Sequence, residues 1–359
     1  VIDRVARGGG NFTAPHPTAL TGVSAPHGSC PGPVLVRAYE KEMSRLGVDY
    51  RLNNRGKKLI QDTATGEITG IEVETGGYTY TIKVKDAVIL ATGGFSLNQD
   101  MKNQYFSGTG WNSANDYFKT SGTTNSSGNT GDGHLMAQAV GANLINMNNF
   151  STNFTTIYAD GTYLSLTALR MQAGVMINSQ GKRFANEVSV NITTWQDQNS
   201  DIYFLLDHNN LATLGNLQQY YSEGYLKKAD TWKSLAELIG VNGDGLETTI
   251  REITASVNGN TTLTIPGTNF DKYWKNPKPP YYAAKITPAL HSTYGGIEIN
   301  INAQALDSNG NVIPGLYAAG CVSSNNSYTA LAATVNWPCA FGYAAAHHIL
   351  ENTPYVKEW

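Results

Sequence analysis

The sequence is short of charge. Only 15% of its 359 residues are Asp, Glu, Lys or Arg, where a quarter is usual. The 25 Lys and Arg nearly balance the 28 Asp and Glu, for a net charge of −3, so no basic footprint for nucleic acid is present. Three cysteines, Cys30, Cys321 and Cys339, are too few and odd in number for a disulfide framework. No apolar run approaches the 18 or so residues of a membrane span, and no HExxH, CxxC or paired His–carboxylate spacing points to a metal. The N-terminus, Val-Ile-Asp-Arg-Val-Ala-Arg, has neither an initiator Met nor an apolar signal core, so a mature or partial chain is expected.

Neutral polar residues take the place of the missing charge. There are 34 asparagines, more than all Lys and Arg together, beside 37 glycines and 20 tyrosines. So many aromatics with so little net charge argue against disorder. A surface of this kind accompanies export in bacteria, and an extracytoplasmic or cell-surface location is expected. At 359 residues, two domains or one large domain with an insertion are expected.

Local patterns order the chain. Residues 34–47 carry apolar residues at helical spacing and stop at Gly47. Short strands follow at 48–54, near 57–60, at 67–75 and at 78–85, separated by turn signals. DAVILATGGF (86–95) is a continuous apolar strand ending in a glycine pair, the pattern of a buried parallel strand at its ligand-binding end. A polar loop (107–131) leads into a small-residue helix at 133–141. The middle stretch mixes strands (174–179, 202–207) with helices (234–240, 245–259) and a Pro-rich turn at 277–280. Strand patterns return at 295–301 and 315–320, and a last helix is expected at 338–351, with Pro338 near its first turn.

Two glycine turns follow apolar strands, Ala91-Thr92-Gly93-Gly94 and Ala318-Ala319-Gly320. Glycine lets backbone approach a bulky ligand and leaves N–H groups free for phosphate or flavin oxygens, but a tight strand-to-helix turn accounts for either one equally well. Thr130-Gly131-Asp132-Gly133 is a third element of this kind. Asp132 there either accepts from a ligand or caps the helix.

In this order, ATGGF (91–95), TGDGHLMAQAVGANL (130–144), NSQGKRFANE (178–187), YYAAKITPALHSTYGGI (281–297) and PGLYAAG (314–320) resemble the flavoprotein family of soluble fumarate reductases, urocanate reductases and 3-ketosteroid dehydrogenases. The resemblance covers nearly all of residues 30–350. It implies an α/β fold: a discontinuous Rossmann-like FAD-binding domain (1–150 and 291–359) with an inserted, mobile α+β capping domain (151–290). It also implies FAD as cofactor, held by Thr92, Gly93, Gly94, Thr130, Gly131, Asp132, Gly133, Gly320, Cys321, Thr334 and Val335. The reaction implied is hydride transfer between flavin N5 and a carbon–carbon bond conjugated to a carbonyl. The partners implied are a small molecule with an activated C=C and an electron-donor protein or flavin/haem module, with no nucleic acid and no membrane span.

The chain departs from the family in two places. It has no GxGxxG after a strand, and about a hundred upstream residues carrying that motif are expected on the family's pattern. The family's proton-donating Arg, four residues past the Asn-Glu of GKRFANE, falls at Asn191, and a second carboxylate-binding Arg falls near Thr329. Losing two bidentate forks argues against fumarate.

His291 stands where the family binds a substrate carbonyl or carboxylate, and Arg170 matches an Arg near the substrate or an interdomain pair. Tyr328, thirteen residues before Phe341-Gly342, and Ala332, four further on, match the phenol and backbone N–H with which ketosteroid dehydrogenases polarise a ketone. Cys321 replaces a Glu of many relatives and reads as a small packing residue. The expected activity is reduction of an enone or enoate. A ketosteroid-type 1,2-dehydrogenase and an inactive flavin- or ligand-binding fragment are the alternatives.

Overall fold

The computed structural model describes residues 31–106, 115–157, 163–165, 174–209, 221–222, 224–266, 270–324 and 336–351. The chain divides into two compact units, Val1–Asp49 with Asn153–Ala289, and Tyr50–Thr152 with Leu290–Trp359. The sequence places residues 1–150 together, whereas this grouping puts 1–49 with the middle stretch. Among the described side chains of the helix Pro31–Arg45, only Ala38 is buried, so little side-chain packing fixes its partner.

The unit built from both flanks of the middle stretch is α/β. Strands Arg55–Gln61, Ile68–Thr75 and Tyr78–Lys83 form an antiparallel meander. The apolar strand Val88–Leu90 pairs in parallel with Val312–Ala318, register Ile89 to Tyr317, and Gln304–Leu306 adds an antiparallel edge. Gly296–Glu298 lies between Ser323–Ser324, parallel, and Leu144–Ile145, antiparallel. One apolar core joins them, with Leu59, Leu90, Met136, Ile297, Leu316 and Val322 buried together. No strand forms at 48–54, where the chain is irregular until Arg55.

The middle unit is a sheet covered on both faces. Its strand order is Tyr163–Ser165, Phe150–Ile157, Tyr281–Thr293, Ile202–Leu206, Val175–Ile177, with Lys227–Ala229 also on Tyr281–Thr293. Alternate residues of Ile202–Leu206 enter two different cores. Ile202, Phe204 and Leu206 join Met176 and Tyr282, while Tyr203 and Leu205 join Ile250, Ile253 and Trp274 of the helical layer. That division explains the unbroken apolar run: a strand buried on both faces has no polar face to alternate with. The helices Trp232–Ile239 and Gly243–Val257 start from the caps Thr231 and Asn242, whose side chains accept from Ser234 N–H and Gly245 N–H.

Candidate active site

Three glycine turns meet at the carboxyl end of the parallel pair. Ala319 N–H donates to Leu90 O at 2.9 Å, fixing the Gly320 turn against the end of Val88–Leu90. Gly131 N–H donates to Gly94 O at 3.1 Å, and Asn129 Oδ1 accepts from Gly94 N–H at 2.8 Å. Gly133 opens the helix Asp132–Ala139 so tightly against the strand end that an added Cβ would stand 2.1 Å from Thr92 Oγ1 and 2.9 Å from Val322 Cγ2. Only glycine permits that approach.

Beside these turns lies a cavity of about 490 Å³, lined by the polar residues Thr92, Ser127, Thr130, Asp132 and Arg55, by Gly56 and Gly128, and by the apolar Ile71, Val88, Ile89, Leu90 and Met136. Thr92, Thr130 and Asp132 therefore line one cavity. Gly93, Gly94, Gly131 and Gly133 do not line it; an added Cβ at any of them would press on a neighbouring side chain. Gly320 has open space on its α-carbon, with Pro338 no nearer than 3.8 Å. Cys321 is half-buried, and burial pushes its thiol up. Arg170, Tyr328, Ala332, Thr334 and Val335 lie outside the described residues.

Asp132 does not cap its helix; Gly131 holds the cap position, with no side-chain bond. Its carboxylate instead takes two bonds from Arg55, Nε to Oδ2 at 2.6 Å and Nη2 to Oδ1 at 2.8 Å, and one from Thr130 Oγ1 at 3.0 Å. The Arg55 guanidinium holds this carboxyl below the usual carboxylate range. Arg55 has no mark in the sequence, because its partner is 77 residues away.

The strand carrying His291 is tied to the same turns. Thr293 Oγ1, two residues on, accepts from Phe95 N–H of the ATGGF turn at 3.1 Å. Gly296 passes so close to the 320–322 turn that an added Cβ would meet Val322 O at 2.3 Å. On the other side, Leu290 pairs in parallel with Thr123, and Thr124 Oγ1 stands 2.7 Å from His291 Nδ1. Burial holds His291 below the ordinary imidazole value. His134 is a core residue: it packs edge-on against Phe95, Nε2 lies 3.2 Å from Gly295 O, and burial pushes it down to about 4.

In the middle unit, Asn191 caps the helix Ile192–Gln196 by accepting from Thr194 N–H at 2.8 Å. The position where the family resemblance expects an acid thus has a structural use here. Arg183 and Glu187 of the GKRFANE motif form a bidentate pair at 2.8 Å, buried on both sides. No group of three His, Cys, Asp or Glu side chains able to hold a metal occurs among the described residues.

The profile of the FAD binding domain family matches residues 4–333. The chain belongs to this family. It is 28% identical over 323 residues to the fumarate reductase (cytochrome) of Shewanella frigidimarina, covering 88% of this chain and 52% of that protein. It is 33% identical over 284 residues to the urocanate reductase of Eggerthella lenta, covering 75% of this chain and 45% of the relative. The chain thus spans about half the length of these relatives. Its fold matches the open conformation of a flavocytochrome c3 fumarate reductase with a TM-score of 0.75, at 23% identity, over 98% of this chain and 62% of that one. A 3-ketosteroid Δ1-dehydrogenase from Sterolibacterium denitrificans matches at 0.67 and 24% identity, over 90% of this chain and 63% of that one.

FAD is the cofactor of this family, and the cavity's donor set fits it. Its lining combines Thr92, Thr130, Gly128 and the ionised Asp132 carboxylate with the apolar Ile71, Val88, Ile89, Leu90 and Met136, which suits a ligand carrying both hydroxyls and an aromatic ring. The ADP half is recognised in this fold by GxGxxG, and no such spacing occurs in the sequence.

Proposed function

We propose that this chain forms the flavin- and substrate-binding part of an oxidoreductase that reduces a C=C bond conjugated to a carbonyl. The observation that carries this reading is the bond from Phe95 N–H to Thr293 Oγ1, which ties the strand bearing His291 to the ATGGF turn. A hydrogen-bonding imidazole is thereby fixed in the same unit as the cofactor cradle. When bound, FAD supplies a hydride at N5. This chain's residues then hold the cofactor's hydroxyls through Thr92, Thr130 and Asp132, and bind the carbonyl oxygen through His291. A hydrogen bond to that oxygen stabilises the negative charge that builds up there as hydride reaches the β-carbon.

The loss of Arg at Asn191, now a helix cap, supports a monocarbonyl substrate over a dicarboxylate. Electrons would come from a donor protein or a flavin or haem module. The Asn-rich, charge-poor composition supports a location outside the cytoplasm.

The test is anaerobic stopped-flow on the flavin-loaded protein. The reduced protein should be reoxidised by conjugated enones and enoates, whereas the oxidised protein should not be bleached by saturated ketones. Bleaching by a saturated 3-ketosteroid without the reverse reaction would make it a dehydrogenase. A protein that takes up no flavin would sink both readings.

A further inference from the structure

We propose that Thr124 is a positioning residue that fixes His291 in the Nε2–H tautomer, so that this imidazole meets the substrate as a neutral hydrogen-bond donor and not as an acid. The substrate half of this statement rests on the function proposed above; the tautomer half does not.

A threonine hydroxyl has one proton to give. Thr124 Oγ1 lies 2.7 Å from His291 Nδ1 and 3.5 Å from Leu290 O. The first is a strong hydrogen-bond distance and the second is at the outer limit. Leu290 O already accepts from Thr124 N–H at 2.9 Å, so it has less need of the hydroxyl. The proton therefore goes to Nδ1, and the ring's own N–H is at Nε2. The reverse arrangement, with Nδ1–H donating to Oγ1, would leave the hydroxyl only the 3.5 Å contact.

The pairing is held by backbone on both sides. Leu290 N–H donates to Gly122 O at 2.9 Å, and Thr123 bridges Leu290 in parallel. Thr123 and Asn125 also bond to Ser96 Oγ, at 3.2 and 2.8 Å, anchoring the segment beside the ATGGF turn. The Thr124 side chain is β-branched and stiff at χ1, so its hydroxyl direction follows from the backbone. Burial favours the uncharged ring, which is the state this arrangement requires.

A neutral Nε2–H donor has a defined chemistry. It stabilises developing charge on a carbonyl oxygen, but it cannot give up its only N–H proton without becoming an imidazolate. His291 therefore polarises the substrate, and the proton that completes reduction at the α-carbon comes from another group or from water.

The experiment is nitrogen NMR of the full-length, flavin-loaded protein with 15N-labelled histidine, the His291 signals assigned by their loss in His291→Gln. Expected is a pyridine-type Nδ1 and a pyrrole-type Nε2, with the pattern averaged or inverted in Thr124→Val and restored in Thr124→Ser. On a conjugated carbonyl substrate, Thr124→Val should lower kcat about tenfold, the size of one lost hydrogen bond, and Thr124→Ser should recover most of it. A wild-type spectrum with the proton on Nδ1, or on both nitrogens, overturns the proposal whatever Thr124→Val does. So does an unchanged His291 pattern in Thr124→Val. If the tautomer is as expected but no conjugated carbonyl is turned over, the tautomer half stands and the substrate half falls with the proposed function.

Discussion

Replacing Arg55 by Gln separates electrostatics from folding at the cavity that Arg55 and Asp132 line. The Arg55 side chain is 57% exposed and that of Asp132 25%, so water screens the pair despite its bidentate geometry at 2.6 and 2.8 Å. An exposed pair of this kind contributes about 0.2–1 kcal/mol, and the fold should survive its loss with a melting temperature lower by a few degrees at most. The larger effect falls on the ionisation of Asp132. In the wild type, Arg55 holds the Asp132 carboxyl below the usual range, aided by Thr130 and by the charge of Lys57, while burial alone would raise it. Lys57 is itself paired with Glu74 at 3.1 Å, so it cannot replace Arg55 fully.

The sign follows from linkage. A depressed carboxyl adds stability that is complete above its ordinary value of about 3.9 and is lost as the pH falls through the lower folded value. In Arg55→Gln that acid limb should move upward. Flavin affinity should follow it, since Asp132 faces the cavity that FAD is expected to occupy. Flavin fluorescence titrations between pH 4 and 8 would show a nearly flat affinity for the wild type and an affinity falling at the acid end for Arg55→Gln. Asp132→Asn should be weak and independent of pH. An Arg55→Gln protein with the wild-type acid limb would refute the reasoning, as would one destabilised by several kcal/mol.

Three further outcomes are expected. Glu187→Gln leaves the buried Arg183 guanidinium without its carboxylate, and also weakens the acceptor for Met176 N–H, so urea unfolding should show a loss of about 3–5 kcal/mol. Gly133→Ala puts a methyl 2.1 Å from Thr92 Oγ1, and calorimetry should register about 1–3 kcal/mol of overpacking together with weaker flavin retention. Lys102 is buried with, among the described residues, a 3.5 Å contact to Ser121 O as its hydrogen bond, and burial lowers its ammonium from the ordinary value. Because the unfolded chain then binds the extra proton, wild-type stability should rise with pH on the alkaline side. Lys102→Met should remove that slope and stabilise the protein by up to about 1 kcal/mol at pH 7.

What the sequence revealed was local. The glycine turns after apolar strands, the helix at Asp132–Ala139 and the doubly buried Ile202–Leu206 can all be read from neighbouring residues, because strand burial and turn conformation are set within a few positions. The strand Tyr281–Thr293 was harder to see. It runs thirteen residues, contains Pro288, and shows an irregular burial pattern because its neighbours differ along its length. The pairs that tune the site were invisible for another reason. Arg55 with Asp132 and Thr124 with His291 join residues 77 and 167 apart, and no spacing encodes such contacts. Asn191 is an intermediate case. Asn ahead of a short helix is a legible cap signal, and the family resemblance expects an Arg at the same position.

That replacement bears on selectivity. A dicarboxylate needs cationic forks at both ends, since burying an unpaired carboxylate costs far more than a single neutral donor returns. On the proposed function, the ring offered to substrate is that of His291, whose burial favours its neutral form. A neutral carbonyl asks less of such a site. It needs one well-aimed donor in the ground state and gains most from that donor when charge reaches the oxygen during hydride transfer. On the proposed function, neutral enones should therefore outcompete fumarate in kcat/KM. Asn191→Arg should not reverse that order, because it removes the bond to Thr194 N–H that starts the helix and leaves His291 a neutral donor.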